Sequence, residues 1–83
     1  MSDVDWSLIR ATTAREIVSA LHRDGFVLAR TKGSHHRFVH QDGRQVTVSF
    51  SKGGDTFLRK TLRSMIHAQA QWDANDLKRL GFY

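Results

Sequence analysis

The spacing of apolar residues changes period twice along this chain, from helical to alternating and back to helical. Ile17, Val18 and Leu21, completed by Ala14, recur on one helix face. Thr13-Ala14-Arg15-Glu16 has the form of a capping box, in which the threonine oxygen and the glutamate satisfy free N–H groups at a helix start. Gly25 suits a left-handed stop, so the first helix is predicted over about 14–24. Phe26 to Thr31, with Val27, Leu28 and Ala29 at its centre, reads as a strand. Alternation of period two then marks strands at about 35–40 and 45–50. Between them, Asp42-Gly43 within Gln41–Arg44 predicts a hairpin with a type I′ turn. On these strands Phe38, Val46, Val48 and Phe50 share one face with His36 and His40. His35, Arg37, Thr47 and Ser49 share the other. A connector, Ser51-Lys52-Gly53-Gly54, leads to Asp55, which offers an N-cap. Leu58, Leu62, Met65, Ile66 and Gln69 then return to helical spacing, predicting a helix over about 56–71. Asp73 opens a short last helix through Leu77 and Leu80, and Gly81 closes it.

Helix, three strands and helix make an α+β fold, a three-stranded antiparallel meander whose one face two amphipathic helices can cover. Residues 1–83 form a single domain with an arm at 1–12 and a helical tail at 72–83. In the arm, Trp6, Leu8 and Ile9 need burial without a clear period, either over the domain or in an oligomer contact. There is no cysteine, which excludes disulfides and thiolate metal sites. No run is long enough to span a membrane and no signal-peptide pattern leads the chain, so a cytoplasmic protein, a monomer on its own, is expected.

Charge is uneven. The formal net charge is +5, yet residues 30–63 hold eight basic side chains against Asp42 and Asp55, a net +6. A basic centre between nearly neutral ends favours a polyanionic partner. On the polar face, His35 can take or give a proton near neutral pH. Arg37, two residues on, can grip a phosphate. Alone, an exposed strand histidine is more often a bystander. His36, on the core side near Phe38, reads as a hydrogen-bonded structural residue; His22 reads as a surface residue, and His40 lies beside the turn without an assigned role. His36 and His40 would stand about 13 Å apart on a strand. Zinc bonds are near ~2 Å, and no carboxylate accompanies His35 in sequence, so neither a metal nor another cofactor is expected.

Lys32-Gly33-Ser34-His35-His36-Arg37-Phe38 resembles the G-S-H-x-x-F signature of the HicA (YcfA-like) toxins of bacterial toxin–antitoxin pairs. The likeness runs from about Ala14 to Met65–Ile66 and includes Asp24-Gly25-Phe26 and Thr61-Leu62-Arg63-Ser64-Met65-Ile66, similar to the family's T-L-R-S-I-L helix. Two departures stand at the ends of that helix: Lys60 where the family often has glycine, and Ala70-Gln71-Trp72 where it has an Ala-Gly-apolar stop. The resemblance implies a double-stranded-RNA-binding-domain-like fold, an endoribonuclease acting on mRNA, His35 as its working histidine, and a HicB-like antitoxin partner. Such cleavage needs no metal, because a base can free the RNA 2′-hydroxyl to attack the adjacent phosphorus. Lys32, Ser34, Arg37 and Lys52 would hold the phosphate, and Arg59, Lys60 and Arg63 form a basic stripe on the second helix. Two rival readings remain: a non-catalytic RNA-binding module of the same fold, and an interaction protein whose basic surface meets an acidic partner.

Overall fold

The computed structural model of the chain describes residues 4–6, 9 and 11–82; the expected burial of Leu8 falls outside them. Helix α1 (Ala14–Arg23) begins at the capping box, with Thr13 Oγ1 accepting from the Glu16 N–H and the Glu16 carboxylate accepting from the Thr13 N–H. The two remaining N–H groups of its first turn are taken by the connector: Ala14 N donates to Asp55 O at 2.8 Å and Arg15 N to Gly53 O at 2.9 Å. An α-helix start has no backbone partners of its own, so this docking completes it. It also overturns one expectation. Asp55 does not cap the second helix. Its carboxylate accepts from the Ser51 and Lys52 N–H groups, which hold it below the ordinary carboxylate range and close the connector on itself.

Strands β1 (Val27–Lys32), β2 (His35–Val39) and β3 (Gln45–Ser49) pair in that order, antiparallel throughout. Gly33 and Ser34 make the two-residue turn between β1 and β2, with Lys32 opposite His35. Gly33 has φ 60°, the left-handed angle that the first central position of a primed hairpin turn requires. The second hairpin differs from expectation. Its loop is Gln41-Asp42-Gly43 between His40 and Arg44, where His40 N donates to Arg44 O, and only Gly43 is left-handed. A three-residue loop with one left-handed glycine replaces the type I′ turn, because Asp42 instead uses its carboxylate to accept from the Arg44 N–H. Strand β1 carries a bulge between Leu28 and Arg30 and is exposed along its whole length, with Val27 58% and Leu28 49% exposed. Its expected apolar centre therefore lies on an open edge.

The second helix starts at Arg59 rather than near 56. Asp55 is engaged elsewhere, Phe57 packs against the core, and Leu58, expected on the buried face, precedes the first turn and is 79% exposed. Helix α2 (Arg59–Arg63) widens into a π-helical segment, Ser64–Gln69. There Gln69 Oε1 accepts from the Thr47 N–H of β3 at 2.8 Å and its Nε2 donates to Ser64 Oγ at 3.0 Å, joining helix to sheet edge. The segment stops at Gln71, left-handed at φ 59°, with Trp72 N donating back to Ile66 O. Helix α3 (Ala74–Arg79) has its own capping box, Asp73 with Asp76. One core joins Ile17, Leu21, Phe38, Val46, Val48, Leu62, Met65, Ile66, Trp72 and Leu77, so both long helices cover the same sheet face. The element order is that expected of the double-stranded-RNA-binding-like α+β fold.

Beneath the core's far end, Asp24 ties four segments together. Its side chain, 10% exposed, accepts from Trp72 Nε1 at 2.8 Å and Arg79 Nη2 at 2.8 Å, and pairs with Arg44 Nη2 at 3.2 Å. Arg44 in turn donates to Ala70 O at 2.6 Å and stands over the Phe26 ring. Burial would raise the Asp24 pKa, but the hydrogen bonds from Trp72 and Arg79 and the charges of Arg44 and Arg79 outweigh it and hold the carboxyl below its ordinary value of 3.8.

Two outcomes follow for stability. Gln71→Gly removes a left-handed strain of roughly 1–2 kcal/mol while loosening the unfolded chain, so a net gain of about 0.5–1 kcal/mol is expected in urea unfolding. Asp24→Asn should cost about 2 kcal/mol at neutral pH. Because the folded pKa is depressed, the Asp24 contribution is complete above the ordinary value of 3.8 and is lost as pH falls below it. Stability measured from pH 6 to pH 2 should therefore fall less steeply in Asp24→Asn than in the parent.

Candidate functional site

Strand register assembles the site. Lys32 lies opposite His35, and Arg30 opposite Arg37, across the β1–β2 turn; Thr47 faces Arg37 from β3. Directly paired residues of antiparallel strands share a face. Arg30, Lys32, His35, Arg37 and Thr47 accordingly line one cavity of about 300 Å³ on the sheet face that the helices leave open. All but Thr47 are exposed. No carboxylate lines this cavity. Like charges set opposite each other repel, so Arg30 against Arg37 costs stability unless an anion lies between them.

Where the acidic residues go explains why the face stays positive. Glu16, Asp73 and Asp76 cap helices, Asp55 closes the connector, and Asp24 and Asp42 pair with Arg44. Among the described residues, Arg30, Lys32, Arg37 and Lys52 enter no salt bridge, since the arginine–carboxylate pairs use Arg44 and Arg79. Nor, among the described residues, does any group of three or more His, Cys, Asp or Glu gather as metal ligands.

The two adjacent histidines part company, as alternation requires. His35 is exposed on the open face. His36 is half-buried, with Nδ1 3.3 Å from Val48 O and its ring stacked on Phe50 at 4.1 Å and 13°. His40, given no role from sequence, is a structural joint. Its Nδ1 accepts from the Asp42 N–H at 3.1 Å, which leaves Nε2 to donate to Asp24 O at 2.9 Å. His22 is exposed and meets Phe38 edge-on.

The other expected nucleic-acid contacts are dispersed. Ser34 O accepts from the Phe50 N–H, and Lys52 is exposed in the connector at the same end of the sheet as His35. Arg59 lines a cavity with Trp6 and Phe57, while Lys60 and Arg63 line another with Trp6 and Trp72. Neither cavity shares a residue with that of His35. Arg30 was not singled out from sequence, although counting back across the Gly33-Ser34 turn places it opposite Arg37.

Fold and face together define a small α+β domain with an open cationic sheet face and a single exposed imidazole in it. The sequence pattern of the HicA toxins of bacterial toxin–antitoxin systems matches residues 14–72, from the first residue of α1 to Trp72. The chain belongs to that family, whose members act as the toxins of toxin–antitoxin pairs. A comparison with curated proteins finds no match. Among the described residues, no helix is long and apolar enough to cross a membrane.

The geometry separates the neighbouring histidines by experiment. His36→Ala should lower unfolding free energy by about 1–2 kcal/mol through the lost ring stack and hydrogen bond. His35→Ala should stay within about 0.5 kcal/mol of the parent in the same urea titration, as exposed substitutions do.

Proposed function

We propose that this toxin is a metal-independent endoribonuclease that cleaves mRNA, with His35 as its proton carrier, and that an antitoxin of the HicB type silences it by covering the same face. The observation that carries this reading is the cross-strand placement of one exposed imidazole among Arg30, Lys32 and Arg37, with no acid in the cavity. An RNA phosphate seated there meets cations on both sides of the imidazole. In the step, the 2′-oxygen bonds to phosphorus as its proton leaves, and the bond from phosphorus to the 5′-oxygen breaks as that oxygen gains a proton. The products are a 2′,3′-cyclic phosphate and a 5′-hydroxyl.

Arg30, Lys32 and Arg37 stabilise the charge that grows on the non-bridging oxygens. His35 performs one of the two proton transfers, either as base toward the 2′-hydroxyl or as acid toward the leaving oxygen. No second imidazole or carboxylate lines the cavity, so the other proton exchanges with water. A single positioned carrier is worth roughly 10²–10⁴ in rate. The enzyme is accordingly slow, which suits a toxin that acts on scarce messages. Ser34 and Lys52, at the end of the hairpin, and Arg59, Lys60 and Arg63, on α2, extend the grip on the RNA backbone. A grip that is equal in ground and transition states lowers KM more than it raises kcat.

The test is cleavage of naked RNA together with growth arrest on expression. His35→Ala should abolish both while remaining folded. Cleavage should survive EDTA and leave a 2′,3′-cyclic phosphate or its 3′-phosphate product, and DNA should not be cut. Full toxicity in folded His35→Ala, or activity lost to chelation and restored by magnesium, would refute the assignment. RNA bound tightly but never cut would instead support a non-catalytic binding module.

A further inference from the structure

Round the end of the hairpin from His35 lies a second concavity. Arg15, Val18, His22 and Arg23 of α1 and Phe50, the residue after β3, border a shallow, open trough of about 500 Å³. Its floor is apolar and aromatic and its rim is cationic. No carboxylate lines it, and among the described residues Arg15 and Arg23 enter no ion pair. The Phe50 ring is held from behind by the stacked His36 ring at 4.1 Å. Two parallel rings are thus already piled at the border of the trough.

We infer that this trough is a base-binding subsite for single-stranded RNA, in which a nucleobase flanking the cleaved phosphate stacks on Phe50 while Arg15 and Arg23 hold adjoining phosphates. The inference rests on the RNA substrate proposed above. Position connects the two places. Phe50 N donates to Ser34 O at 2.9 Å, and the preceding residue, Ser49, pairs directly with His35. A strand with its scissile phosphate at His35 passes Lys32, Ser34 and Lys52 as it rounds the end of the sheet, and reaches Phe50 next. An aromatic platform beside a cationic track is how proteins hold single strands without reading sequence, since every base has a flat face. The charge on the rim favours this occupant over a purely apolar peptide, which would leave both guanidinium groups unused.

The experiment uses a labelled single-stranded adenosine nonamer and versions of it with one abasic ribose at successive positions, bound to folded His35→Ala protein so that the probe stays intact. One abasic position should weaken binding on the order of tenfold. Phe50→Leu should weaken binding of the intact nonamer by a similar factor and leave that abasic probe unchanged, because both remove the same stack. Arg15→Gln with Arg23→Gln should flatten the salt slope by about 1.4, single-strand contacts contributing about 0.7 each. Folded Phe50→Leu that binds like the parent, or that loses intact and abasic probes equally, overturns the inference. Should Phe50→Leu fail to fold, an unchanged salt slope in the double arginine variant overturns it instead. Failure of the His35→Ala protein to bind any of these RNAs would remove the proposed substrate itself, a result distinct from an RNA bound without regard to Phe50.

Discussion

The carboxylate of Asp24 is the point from which the rest of the molecule is held. It stands at the C-terminal cap of α1 and receives Trp72 from beyond the second helix, Arg79 from α3 and Arg44 from the second hairpin. Those segments are remote in sequence, and a domain of this size has little apolar area with which to fix them. A mostly buried carboxylate left without partners would be costly, and one with three donors is not. Its backbone carbonyl adds a fourth link, through His40. The hairpin, the helix stop at Ala70 and the tail are therefore clamped to α1 at one place.

That clamp has an electrostatic counterpart at the opposite end. Acids spent on caps, turns and the Asp24 cluster are unavailable to neutralise the outer sheet face. The net charge of +5 is thus less informative than its segregation: internal pairing collects the negative charge, and the exposed residue is cationic. The geometry of the β1–β2 turn then concentrates it, since a two-residue loop brings Lys32 and His35 face to face with no intervening chain.

What could be read from the sequence was governed by range. The capping box at Thr13, the presence of a hairpin at Asp42-Gly43 (though not its turn type), the opposed exposure of His35 and His36, and the Asp73 start of α3 depend on residues a few positions apart, and were legible. Asp55 misled because an aspartate before a helical pattern serves equally well to close a loop, and only the docking of that loop on α1 decides between the two. Leu58 followed it into error. The exposure of Val27 and Leu28 could not be read because an edge strand has the same local pattern as a central one. At the site, Lys32, His35 and Arg37 came from one short stretch, whereas Arg30 required strand register. The Phe50 trough required the packing of α1 against the end of β3, which no spacing encodes.

The two borders of the sheet are unequal. Gln69 occupies the middle of the outer edge of β3 by taking the Thr47 N–H, while among the described residues β1 has no strand on its outer side and carries an exposed apolar stretch. A sheet with two free borders can add copies without end; one with a single free border can add one strand and is then finished. A strand added at the β1 border would lie alongside Arg30 and Lys32. The open border among the described residues therefore runs beside the cationic face proposed to bind RNA.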